Sequence, residues 1–118
     1  MKDDTLYLIH VLERIRRIEE FTRAGKQAFL ESLQQQDAVI RNFEVIGEAV
    51  KRLSEGLKLE RSEVPWRRIA GFRDVLIHGY ESVDPQEVWR IIEGSLPGLR
   101  REVESALRER GITDLPEH

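Results

Sequence analysis

The chain has no cysteine among its 118 residues, so it carries no disulfide framework, no thiol nucleophile and no thiolate metal site. That suits a reducing cytoplasm, the expected location. No apolar run approaches the roughly 18 residues that a membrane-crossing helix needs, so no membrane partner is expected. The opening residues, Met1-Lys2-Asp3-Asp4, lack the basic-then-apolar pattern of a signal peptide. An excess of positive charge is missing too: 19 Lys and Arg stand against 22 Asp and Glu, a net charge of −3. A sequence-blind nucleic-acid binder is normally basic. Any nucleic-acid contact must therefore be a local patch, or a groove assembled between subunits. There is no internal repeat, no low-complexity run and no period-two alternation of the kind that marks a strand.

What is present reads as helix. Apolar residues make up 40% and charged residues 35%, the balance of a small helical bundle with a charged exterior. A chain of this length is one domain, able to bury roughly two-thirds of its unfolded surface. Asp3 or Asp4 caps a first helix. Its core face repeats through Leu8, Leu12, Ile15 and Ile18, and Gly25 is its expected stop. A short helical turn over 26–33 is anchored by Phe29 and Leu33. A second long helix follows, with a seam of Val39, Phe43, Ile46, Val50, Leu53 and Leu57 at steps of 4, 3, 4, 3 and 4. Gly47 inside it costs about 1 kcal/mol relative to alanine, which points to a close approach by another helix or a substrate. Residues 58–64 read as a polar connection, and Pro65 opens a helix with Trp66, Ile69 and Phe72 on its buried side. Asp84-Pro85-Gln86-Glu87 is a strong helix start with a capping box. The last helix carries Val88, Ile92, Leu96, Leu99, Val103 and Leu107, with Pro97 kinking or breaking it and Gly111 ending it. The expected fold is all-α: an antiparallel bundle of about four main helices plus short ones over residues 1–111, with a loose tail at 112–118.

One stretch stands apart, Gly71-Phe72-Arg73-Asp74-Val75-Leu76-Ile77-His78-Gly79-Tyr80. It sets an arginine, an acid, a histidine and a tyrosine around three consecutive apolar residues. Arg73 and Tyr80 share one face of a helix. His78 lies about 140° round from Arg73, unless Gly79 lets the chain leave helical geometry and the ring swing over. An arginine and a histidine suffice for phosphoryl transfer on RNA, which carries its own 2′-hydroxyl nucleophile. Histidine moves a proton near neutral pH; arginine offers permanent charge and forked donors to phosphate. The same residues also have plain structural readings. Arg73 can pair with a carboxylate, His78 can cap the helix, Asp74 can be a salt-bridge partner, and Tyr80 can be a core ring with its hydroxyl outside.

The spacing R-x-x-x-x-H-x-Y, with Gln36–Asn42, Ile46-Gly47-Glu48-Ala49, Pro65-Trp66, Ile69–Arg73, Val83-Asp84 and Val88-Trp89 in order around it, resembles the HEPN domains and specifically the HepT-like toxins. The resemblance implies an all-α, homodimeric, metal-independent RNA endonuclease of a toxin–antitoxin pair, with no cofactor. It implies that Arg73 and His78 are catalytic, that Asp74 orients the arginine, and that Tyr80 accepts AMP from a nucleotidyltransferase antitoxin. Arg67 and Arg68, just before the motif, are candidate RNA contacts. The alternative is a non-catalytic helical module that binds the nucleotidyltransferase or a nucleotide. His10 and His118 have no assigned role. Asn42, Glu44 and Glu48 lie on the long helix, facing a direction the sequence does not fix.

Overall fold

The computed structural model describes residues 3–79 and 83–112. Tyr80, most of the 81–83 loop, and the tail beyond Ile112 with His118 lie outside them. The described residues form seven helices and no strand: α1 (Asp4–Phe21), α2 (Lys26–Leu30), α3 (Leu33–Arg52), α4 (Glu55–Glu60), α5 (Trp66–Gly79), α6 (Pro85–Gly94) and α7 (Leu96–Glu109). The fold is all-α, as expected, with four long helices and shorter ones between them.

Local chemistry sets most of the helix starts. Asp3 accepts from the Leu6 amide at 3.2 Å, Ser32 from Gln35 at 3.0 Å, Ser54 from Leu57 at 3.2 Å, and Asp84 from Gln86 at 2.9 Å. Each satisfies a first-turn N–H that has no partner within its helix. The predicted apolar faces of α1 and α3 are buried from Leu8 to Ile18 and from Val39 to Val50.

Several boundaries differ from the sequence expectation, each for a physical reason. Gly25 does not stop α1. That helix ends at Phe21, where the Thr22 hydroxyl donates to the Ile18 carbonyl at 2.8 Å; Gly25, at φ +99°, instead opens α2. Leu33 does not anchor the short turn: it is 77% exposed and begins α3. Gln36 closes that corner, its Nε2 donating to the carbonyls of Phe29 and Leu30 at 3.0 and 3.1 Å. The long seam is interrupted after Arg52, because Leu53 turns extended and Ser54 starts α4. Leu53 and Leu57 are still buried, but they reach the core from the turn and from α4. Part of the predicted polar connection at 58–64 is thus helix. Asp4 of α1 fixes the turn by accepting from the Ser54 amide at 2.8 Å and hydroxyl at 2.5 Å.

Pro97 and its flanking glycines break the last helix at Ser95. Pro97 then sits in the first turn of α7, where a missing N–H costs nothing. Gly111 (φ +83°) ends α7: its amide donates to Arg108 and that of Ile112 to Leu107, the paired bonds of a Schellman stop. Ile112 is therefore docked on the core rather than part of a loose tail. Pairs Asp4–Arg110 (3.6 Å) and Glu19–Arg100 tie opposite ends of α1 and α7, which run antiparallel.

Helix α5 packs chiefly along α3. Beside that seam, between α3, α5 and the α6–α7 arm, a cavity of about 600 Å³ is lined by Phe43, Ile46, Ile69, Phe72, Ile91 and Leu99. The arrangement leaves the motif helix supported chiefly along one seam, with the cavity separating it from the α6–α7 arm.

Candidate active site

The site is built where α5 crosses α3. Gly47 lies at the closest approach. A Cβ placed there would fall under 3.0 Å from the Arg73 Cβ, with the Arg73 Cγ and Cδ at 3.3 and 3.4 Å. The close approach inferred from this glycine is thus made by the motif arginine. Phe43 and Phe72 meet edge to face beside it, with ring centroids 5.5 Å apart.

Because Arg73 leaves α5 directly over α3, its guanidinium reaches the next residue after the glycine. Nη2 meets Glu48 Oε1 at 3.0 Å, and Nη1 meets Asp74 Oδ1 at 3.2 Å. Two carboxylates therefore fix the plane of the guanidinium, using two of its five N–H donors. Glu48 is held in turn by Arg52, whose Nε donates to Glu48 Oε2 at 3.1 Å. Hydrogen bonding with Tyr7 of α1, then with Glu48, pushes Arg52 further above the ordinary arginine range. A polar relay thus runs along α3 from Arg52 through Glu48 to the motif on α5.

His78 is exposed on the last turn of α5, which stays helical through Gly79. The expected swing out of helical geometry does not occur. Instead the ring folds back along its own helix, with Nδ1 2.9 Å from the Asp74 carbonyl. A carbonyl only accepts, so Nδ1 carries the hydrogen. In the neutral ring, Nε2 is then the basic nitrogen, and it is directed away from that bond. Asp74 joins the two halves of the motif: its carboxylate holds Arg73 and its carbonyl holds His78.

Arg67 and Arg68 are exposed on the first turn of α5. They lie about 15 Å from His78 along the helix axis at 1.5 Å per residue, so the structure sets them at the opposite end of α5 from the histidine. Tyr80 lies outside the described residues. Two apolar side chains, Val75 at 57% and Ile77 at 43% exposure, stand on the solvent side of α5 beside the motif. Sequence reasoning left open whether Glu48 lines the site and named no partner for it. The signal was its place beside Gly47, since a residue following a contact glycine is well placed to reach the helix that glycine admits.

Comparison with known proteins bears on the family of the chain. It is 41% identical over 99 residues to a protein of Thermococcus cleftensis named "Probable ribonuclease HepT", covering 83% of this chain and 90% of that one. It is 38% identical over 109 residues to a Methanocaldococcus jannaschii protein named "Gamma-glutamylcyclotransferase and putative RNase"; that match covers 92% of this chain but 49% of the relative, so the chain spans about half of that protein's length. A Caldanaerobacter subterraneus protein named "Putative RNase" is 36% identical over 110 residues, covering 92% of this chain and 98% of the relative. No solved structure matches. The sequence profile of the family described as "Ribonuclease HepT-like" matches residues 11–106, and with these relatives it shows that the chain belongs to the HepT-like ribonuclease family.

Proposed function

We propose that the protein is a metal-independent RNA endonuclease in which Arg73 and His78 carry the reaction. The observation that supports this most is the double role of Asp74, which holds Arg73 by its carboxylate and His78 by its carbonyl. In this reading His78 Nε2 moves the proton. The RNA 2′-oxygen forms a bond to phosphorus, the bond to the 5′-oxygen breaks, and the products are a 2′,3′-cyclic phosphate and a 5′-hydroxyl. The Arg73 donors not used by Glu48 and Asp74 stabilise the charge that builds on the phosphate, usually the largest catalytic contribution. Asp74 is a positioning residue, and Arg67 and Arg68 meet the RNA backbone further along α5.

The wider setting is proposed on the same basis. The active form is a homodimer, supported by the exposed Val75 and Ile77 next to the motif and by the need for a second proton-transfer group. The protein acts in the cytoplasm as the toxin of a toxin–antitoxin pair. A nucleotidyltransferase antitoxin adds AMP to Tyr80, setting bulk and negative charge two residues from His78. The intact mass of the co-expressed pair tests this part: it rises by adenylate with Tyr80 present and stays unchanged in Tyr80→Phe.

Cleavage of a defined RNA in the presence of chelator tests the core of the proposal. His78→Ala and Arg73→Ala should each lose at least about 100-fold in rate, the usual scale of a proton-transfer group, while remaining folded. Cutting at the normal rate by His78→Ala would sink the assignment. A second reading, a non-catalytic module that binds the nucleotidyltransferase or a nucleotide, is favoured by the two carboxylates already on Arg73 and by the acidic net charge. It predicts partner or nucleotide binding with no RNA loss.

A further inference from the structure

A second group of cations lies where α1 packs on α3. Arg14 Nη1 donates to Asn42 Oδ1 at 3.3 Å. Asn42 is buried, and its own Nδ2 is fixed on the Ala38 carbonyl at 2.8 Å, so its oxygen is aimed at Arg14 as a neutral acceptor. Arg17 follows Arg14 by one turn, and Arg41 adjoins Asn42. The nearby acids do not balance them. Glu44 pairs with Arg41 at 3.2 Å, and Glu13 only partly offsets the field at Arg14.

Arg14 is unlike the other tethered arginines. Arg52, Arg61 and Arg100 each hold at least one carboxylate and are pushed above the ordinary arginine range. Arg14 makes no ion pair among the described residues, and it is pushed below that range by burial, then by Arg17 and Arg41. A half-buried cation that rests on a neutral amide and faces two like charges is a place an anion would stabilise. The guanidinium fork suits phosphate in particular. Arg41 and Glu48 are seven residues apart on α3, so they share a face about 10 Å apart along the axis. Glu48 is the residue that holds Arg73. The cation group therefore lies on the same side of α3 as the candidate active site, a few nucleotides away along an extended strand.

We propose that Arg14, Arg17 and Arg41 form a phosphate-binding subsite that grips the backbone of single-stranded RNA a few nucleotides from the bond to be cut. The subsite rests on the ribonuclease reading above. It explains how a chain of net charge −3 holds a polyanion, by concentrating cations at one helix junction.

The test uses the full chain carrying His78→Ala, so that bound RNA stays intact, and a dye-labelled single-stranded RNA. Kd is measured over a range of salt, with and without Arg14→Gln plus Arg41→Gln. The slope of log affinity against log salt should fall by about 0.7 for each phosphate that is no longer neutralised, so by about 1.4 for the pair. Arg90→Gln, an exposed arginine paired with Glu87 on α6, should leave it unchanged. Arg14→Lys should keep the slope, since it keeps the charge. If Arg14→Gln does not fold, Arg41→Gln alone, with its side chain 72% exposed, still predicts a fall of about 0.7. An unchanged slope overturns the subsite and leaves the ribonuclease reading standing. Unchanged slope with weakened self-association makes this face a contact between copies instead. Absence of RNA binding at every salt concentration, by folded protein with or without the two arginine substitutions, overturns both.

Discussion

Gly47→Ala isolates the α3–α5 crossing. The added methyl would lie under 3.0 Å from the Arg73 Cβ, whereas ordinary contact begins at 3.4 Å and extends to 4 Å. The Arg73 Cβ is bonded to its own backbone, so it cannot swing clear as a side-chain tip would. The two helices must part by roughly 1 Å, or Arg73 must tilt. Overpacking of this kind costs about 1–3 kcal/mol. Alanine recovers about 1 kcal/mol over glycine within a helix. The net loss is about 0–2 kcal/mol, a Tm drop of up to roughly 8 °C for a domain of this size. Activity should suffer far more, because a 1 Å misplacement of a group that stabilises the transition state costs about 100-fold. Gly71→Ala is the matched control on α5: a Cβ there meets nothing within 4 Å. It should leave cleavage unchanged and stabilise by up to about 1 kcal/mol. The assay is initial cleavage rate beside thermal melting for both variants. Folded Gly47→Ala cutting RNA at the wild-type rate would refute the reasoning, since either the crossing is looser than described or Arg73 does not act at the phosphate.

Other expectations concern stability. Ser54→Ala removes the α4 cap and strips the half-buried Asp4 carboxylate of its hydroxyl donor, and should cost about 2 kcal/mol in urea unfolding. Arg61→Met removes a largely buried guanidinium that bridges Glu102 and Glu109 of α7, and should lower stability by about 1–2 kcal/mol; a loss below about 0.5 kcal/mol would mean the pairs contribute as little as exposed ones. Leu33→Gln should stay within about 0.5 kcal/mol of wild type, while Phe29→Ala, fully buried against Trp89, should lose about 3–5 kcal/mol. Equal effects at these two positions would contradict their opposite burial.

Legibility followed the range of the interaction involved. The buried faces of α1 and α3 repeat at helical spacing, and Asp84-Pro85 writes a helix start in adjacent residues, so both could be read locally. Gly47 announced a close approach, though not by which residue. The break after Arg52 could not be read, because Asp4 and Ser54, which fix it, are 50 residues apart. Gln36 was missed for another reason: its partners, the Phe29 and Leu30 carbonyls, are near in sequence, but backbone acceptors leave no residue-type signal, so Leu33 was expected to anchor the corner that the Gln36 amide closes. At the motif, the sequence supplied Arg73, Asp74 and His78 as a set. It did not supply the direction of the His78 ring, which depends on a backbone carbonyl, or the presence of Glu48, which depends on how α3 is rotated beneath α5.

The one-sided support of α5 has a dynamic consequence. Detaching α1 would sacrifice its packing against both α3 and α7, whereas α5 gives up chiefly the α3 seam, since a cavity already separates it from the α6–α7 arm. Its amides should therefore exchange through openings well below the free energy of global unfolding. The helix that carries the motif is thus held chiefly by one interface, where α1 is held by two. Reshaping the site around a bulky strand requires loosening one interface and leaves the rest of the domain intact.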